Sequence, residues 1–213
     1  CYNIMSQIYT VKRLDSMAFE WQLKEIELTE KYDLENYNIS QTYSQISSYY
    51  INTNQPEKAL EALKKADATA YSPTQKISVQ LEYVNYYSKF GDMQAAEKIL
   101  NECKTAFDQD KRLWSIKKRL YNIEYVYYLQ SKQYPKALEA AKKQEAEELN
   151  LSESIQNSVH YLTKGKIYSN MGNMSEASKY LQMYIEAEDS LKIANEQMAS
   201  SEFATLLEVE KLN

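Results

Sequence analysis

The chain has 213 residues, 44% of them apolar, with 25 basic and 30 acidic side chains and a net charge of −5: enough apolar material for a packed core, and the wrong overall sign for a nucleic-acid binder. No apolar run approaches the ~20 residues needed to cross a bilayer, and no targeting signal is visible, so membrane insertion by this segment is not expected. Three isolated glycines cannot build a phosphate-cradling loop, and one histidine with two distant cysteines, Cys1 and Cys103, defines neither a disulfide framework nor a metal site.

Five tyrosines are each followed nine residues later by an alanine that opens a new apolar stripe: Tyr9/Ala18, Tyr50/Ala59, Tyr87/Ala96, Tyr128/Ala137 and Tyr168/Ala177. Successive alanines are 41, 37, 41 and 40 residues apart, the range of stacked helix–turn–helix repeats. In chain order the repeats are expected at about 1–36, 37–73, 74–109, 110–149 and 150–189, followed by a helix over 190–213 that caps or connects. Pro56 and Pro135 begin second helices of the second and fourth repeats, where a fixed φ and a missing N–H cost little. Ser72 and Pro73 mark the break between repeats two and three. Asp92 and Asn173 follow Gly91 and Gly172 as N-caps. The stretches from Gln55 to Ala68 and from Asp110 to Lys132 contain no helix breaker beyond the initiating Pro56, and apolar residues recur in them at three and four spacings.

With the alanine numbered as the twentieth position of each repeat, all five tyrosines fall at the eleventh, Gly91 and Gly172 at the fifteenth, and Gly165, Ser6 and Ser47 at the eighth. An aromatic fourth position holds Tyr2, Tyr43, Tyr121 and Tyr161. This pattern resembles the tetratricopeptide repeat, W-x2-L-G-x2-Y with A-x3-F and a final proline, tyrosine replacing the tryptophan. The resemblance implies an all-α, right-handed superhelical solenoid of about five repeats plus the C-terminal helix. Departures are Gln80 and Val84 in the third repeat, Tyr125 and Ala141 in the fourth, and the charged Glu124 and Lys164 at the usually apolar seventh position. At that position either the register shifts or long side chains keep their heads exposed.

The resemblance also implies that positions two, five, nine, twelve and thirteen face a concave groove. Carried onto this chain they are Gln41, Ser44, Ser48, Asn52, Asn85, Ser88, Lys89, Arg119, Asn122, Gln130, Lys166 and Asn170. These amides, hydroxyls and few cations suit the backbone of an extended peptide, or alternatively a glycan. They do not reproduce the lysine/asparagine clamp of the chaperone-binding members. A basic patch of Lys111, Arg112, Lys117, Lys118 and Arg119 surrounds Trp114, offset by Glu145, Glu147 and Glu148; it reads as a solvated helix face rather than a nucleic-acid site, with Arg119 as the cation for an acidic partner peptide.

No catalytic constellation appears: His160 lacks partners at ligand spacing and is expected at a surface or helix start, and no serine sits in an activating context. Neither an enzyme nor a cofactor is expected. Cys103 is expected to pack; Cys1 as a lipid-bearing residue is disfavoured by its place inside the first helix. The tyrosines are expected in the core with an inter-helix network of hydroxyl bonds, and loss of the ring at Tyr50 or Tyr128 is expected to cost about 3–5 kcal/mol.

Glu188-Asp189-Ser190-Leu191, followed by Leu207-Glu208-Val209-Glu210-Lys211, is similar to the exit of tetratricopeptide sensor regions in Bacteroidetes-type signalling proteins. That similarity implies a protein-interaction or ligand-sensing domain, extracytoplasmic rather than cytoplasmic, which dimerises through the last helix. A free-standing assembly adaptor and a glycan- or peptide-capturing part of an uptake system are the alternatives.

Overall fold

The structure is a computed structural model describing residues 2–11, 14–32, 38–148 and 153–212. Among the described residues it is all-α, with ten α-helices, one 3-10 helix and no strand. Two compact units, 1–131 and 132–213, divide the chain. The first holds α1 (Tyr2–Val11), α2 (Asp15–Lys31), α3 (Ile39–Asn52), α4 (Pro56–Thr69), α5 (Pro73–Phe90), α6 (Met93–Gln109), the 3-10 helix Lys111–Ile116 and α7 (Lys117–Gln130). The second holds α8 (Tyr134–Glu148), α9 (Glu153–Asn170) and α10 (Met174–Leu212).

Local chemistry sets the helix ends. Ser72 Oγ accepts from Gln75 N while the Gln75 side chain accepts from Ser72 N, a reciprocal capping box ahead of Pro73. Asp92 and Asn173 accept from Ala95 N and Glu176 N. The fifteenth position takes a left-handed backbone in all four described turns, by glycine at Gly91 (φ 98°) and Gly172 (φ 74°) and by ordinary residues at Asn54 and Lys132 (both φ 60°). The turn geometry therefore repeats even where the glycine does not.

The repeat alanines Ala18, Ala59, Ala96, Ala137 and Ala177 are all buried. In the first unit Ala62, Ala66 and Val79 pack with Tyr43 and Ile46, and a second cluster joins Leu81, Val84, Leu100, Cys103, Phe107, Leu113, Leu120 and Ile123. The eighth position is where paired helices approach: Ser47 Oγ donates to Ala59 O at 3.0 Å, and a Cβ built on Gly165 would lie 2.8 Å from Leu181 Cδ2.

Several expectations are corrected. The Asp110 to Lys132 stretch, helical and without a breaker as expected, begins in tighter 3-10 geometry over Lys111–Ile116, with Asp110 accepting from Arg112 N, before the α-helix Lys117–Gln130. No break occurs at residue 190: α10 runs without interruption through it, so 190–212 extends the second helix of the last pair rather than forming a separate element. Glu124 and Lys164 neither shift the register nor expose their heads. Both are buried and neutralised, Glu124 Oε1 by Lys104 Nζ at 2.8 Å and Lys164 Nζ by Glu145 Oε2 at 2.6 Å.

His160, expected at a surface, is buried in α9. Tyr50 and Tyr128 are only half-buried, whereas Tyr127 is buried at 4% exposure. Ring pairs are among the tyrosine contacts: Tyr83 stacks on Tyr87, Tyr168 on Tyr180, and Tyr86 meets Phe90. Hydroxyls bridge helices as well, Tyr43 donating to Glu30 at 2.7 Å and Tyr128 accepting from Lys104 at 3.3 Å. Burial, then the Glu30 carboxylate, pushes the Tyr43 phenol up. Cys1 lies outside the described residues, as do the side chains of Glu202, Glu208 and Glu210.

Candidate functional site

Neighbouring helices α3, α5 and α7 each send a polar residue to one buried carboxylate. Glu82, on α5, is 3% exposed. Its Oε1 accepts from Ser48 Oγ at 2.7 Å and Asn85 Nδ2 at 2.8 Å, and its Oε2 accepts from Arg119 Nη2 at 2.8 Å. Three donors, one of them cationic, satisfy a charge that burial alone would make costly. Three sequence-predicted groove residues are thus brought together by a fourth that the groove pattern omits. Glu82 sits at the sixth position, outside the groove pattern; the available signal was an acidic residue three before Asn85 and about one repeat before Arg119.

The remaining predicted residues are placed unevenly. Gln41 is exposed, and Ser44 is buried, donating to Ser40 O at 3.0 Å. Both line a cavity of about 170 Å³ together with Thr74, Gln75, Ser78 and Arg119. Ser48 and Asn52 line a larger cleft of about 580 Å³ that Phe19 and Tyr49 also border. Ser88 is buried at 4% exposure, and its Oγ has no hydrogen-bond partner among the described residues. Lys89 is exposed in the last turn of α5, where a cation complements the helix end. Asn122 and Gln130 are exposed on α7. Lys166 and Asn170 belong to the second unit, exposed on α9, with Asn170 Nδ2 bonded to Lys166 O at 2.8 Å.

The basic patch does not persist as a block of equivalent cations. Arg112 forks onto Asp110, with Nη2 at 2.7 Å, and this bond holds the Asp110 carboxyl below its ordinary range. Lys111 and Lys117 lie 5.8 Å from the centre of the Trp114 ring, which is 57% exposed. Glu145, expected to offset the patch, pairs instead with Lys164. Among the described residues no group of three His, Cys, Asp or Glu side chains is placed to hold a metal, and no helix is long and apolar enough to cross a membrane. Cys103 is buried at 1% exposure among core residues, and burial, with a smaller contribution from Glu102, pushes its thiol up to about 12.

Comparison with known proteins agrees with the repeat architecture. The family described as 26S proteasome subunit RPN7 matches residues 10–143, and the tetratricopeptide repeat matches residues 161–190. Among solved structures, MamA is similar over 88% of this chain and 96% of its own, at 19% identity and a TM-score of 0.45. A Podosopora anserina protein described as a kinesin light chain with nearly identical TPR-like repeats is similar over 89% of this chain and 94% of its own, at 16% identity and a TM-score of 0.44. None of the curated proteins matches the chain.

Proposed function

The chain belongs to the family of the 26S proteasome subunit RPN7 and carries a tetratricopeptide repeat, and from that premise we propose that it is a non-enzymatic scaffold that binds a protein partner as an extended peptide across α3, α5 and α7. The observation carrying this is the convergence of Ser48, Asn85 and Arg119 on Glu82, because it fixes the side chains of three neighbouring helices before any ligand arrives. A face held in one arrangement loses little conformational freedom on binding. The test is selection of binders from a displayed library of random 12-residue peptides against the intact chain. Selected peptides should lose affinity on Gln41→Glu or Asn122→Glu, since both residues are exposed and their replacement leaves the buried network intact. Failure to select any peptide, or binders indifferent to both changes, overturns the reading.

A second reading, that the domain senses a ligand and passes a change on through its last helix, is favoured by the length of α10. Its 39 residues against the 18 of α9 correspond to about 58 Å and 27 Å at ~1.5 Å per residue. The extra length gives a second copy or an output element something to grip. Sedimentation equilibrium of the chain beside a version ending at Ser190 tests it: the longer chain should dimerise and the shorter should not, and two monomers would reduce the extension to a cap.

A further inference from the structure

Two cavities open along a single stripe of α3. Gln41 and Ser44 line the one of about 170 Å³, and Ser48, Tyr49 and Asn52 line the one of about 580 Å³. Positions 41, 44, 48 and 52 recur at three- and four-residue spacing and so share one face of the helix. The midpoints of 41–44 and 48–52 are separated by roughly 11 Å along the axis at ~1.5 Å per residue.

The two cavities differ in chemistry. The smaller is lined by Arg119 together with the hydroxyl-bearing Ser40, Thr74 and Ser78, Gln75 and the apolar Ile116. A guanidinium carries five N–H donors in a rigid fork. Glu82 accepts from one Arg119 nitrogen and so anchors the group at a partly exposed position, with 29% of the side chain open. A fork steadied on one side and lined by hydroxyl donors is complementary to a carboxylate. The larger cleft is lined in part by Phe19 and Tyr49, whose rings stack 4.0 Å apart at 13°, and its lining also includes Asp15 and Asn52. A further aromatic ring can extend that stack, and the Asp15 carboxylate and Asn52 amide are of the chemistry that accepts from a phenol O–H or indole N–H. Its volume falls within the ~300–1,000 Å³ of ordinary ligand pockets.

We propose that the partner peptide carries an aspartate or glutamate that enters the Arg119 cavity and a tyrosine or tryptophan four residues away that enters the Phe19/Tyr49 cleft. This rests on the peptide-binding function above and names its chemistry. An extended chain advances ~3.3 Å per residue with side chains alternating between faces. Residues i and i+4 therefore stand about 13 Å apart on one side, close to the separation of the cavities, whereas i and i+3 point to opposite sides.

The test is fluorescence anisotropy with fluorescein-labelled 12-residue Gly/Ser peptides bearing one Trp and one Asp at separations of two, three or four, titrated with the intact chain. Separation four should bind tightest and separation three weakest. Asn in place of the peptide Asp should weaken binding about tenfold, the loss of one charge-assisted contact, and that difference should shrink against Arg119→Lys, which keeps the charge for Glu82 but loses the fork. Ala in place of the Trp should weaken binding to the parent but not to Tyr49→Ala. Asp and Asn peptides of equal affinity, Trp and Ala peptides of equal affinity, or no odd–even dependence each overturn the proposal; since these comparisons alter only the peptide, they stand whatever the variants' stability. The library-selected peptides separate the two levels of failure: if they bind and the designed ones do not, the footprint is wrong and the scaffold stands, and if neither binds, both fall.

Discussion

Arg119 Nη2 lies 2.8 Å from Glu82 Oε2, across 37 residues of sequence and from one first helix to the next. The separation is close to one repeat, so the pair ties neighbouring repeats of the first unit. Removing one partner of a buried pair strands the other charge and costs about 3–5 kcal/mol. Ser48 and Asn85 remain on Glu82, and Arg119 is partly solvated, so Arg119→Ala should cost less, about 2–3 kcal/mol. Denaturant unfolding of Arg119→Ala, Glu82→Gln and the double variant checks this. A coupling of about 1–3 kcal/mol is expected; strictly additive single losses would show that the pair is not coupled.

Gly165 should tolerate no side chain. The Cβ of alanine would come within 2.8 Å of Leu181 Cγ and Cδ2, an overpacking worth about 1–3 kcal/mol. Leu181→Ala in the same chain should restore part of the loss, measured by thermal unfolding. At Lys132 the sign reverses, since its φ of 60° is strained for lysine. Lys132→Gly should gain about 0.5–1 kcal/mol after the added freedom of the unfolded chain is subtracted.

The two adjacent tyrosines of α7 should behave differently. Tyr127→Ala empties a buried site and should cost about 3–5 kcal/mol. Tyr128 is half-buried and its hydroxyl meets Lys104, so its replacement should cost roughly half as much. Equal midpoints in urea would contradict the burial difference.

Cys103 should resist thiol reagents in the folded chain. With Cys1 replaced by serine, Ellman's reagent at pH 8 should react only when the protein is unfolded, because the buried thiol ionises near 12 rather than its ordinary 9.0. The folded state then holds its proton where the unfolded state has lost it. This contribution to stability is whole below pH 9 and is lost as pH rises from 9 towards 12. A Cys103→Ala variant should lack that share of the alkaline loss, and identical pH profiles would refute the linkage.

The repeat was legible because stacking makes the same demands in every unit. A small twentieth residue sits against the first helix, as Ala59 and Ala96 do at 0% exposure, and in three of the five repeats a small eighth residue, Ser6, Ser47 or Gly165, stands where the paired helices approach, with Val84 and Tyr125 in the other two. The turn was legible only where glycine marked it: Asn54 and Lys132 adopt the same φ without the residue that advertises it. The groove pattern located Ser48, Asn85 and Arg119 but not Glu82, because a helical glutamate reads as solvated until the next repeat supplies its cation. Glu124 and Lys164 were ambiguous for the same reason.

By itself the sequence determined the helical repeat, its period, its caps and the small residues at helix contacts, all set by neighbours within one repeat length. Tertiary structure alone decided which charges pair, which tyrosine is buried, where the 3-10 turn and the 131/132 division fall, and that α10 continues past residue 190. Those outcomes depend on what lies across the helix interface. Burial makes a charge find a partner in space, and periodicity specifies which face a residue occupies without specifying which side chain meets it there.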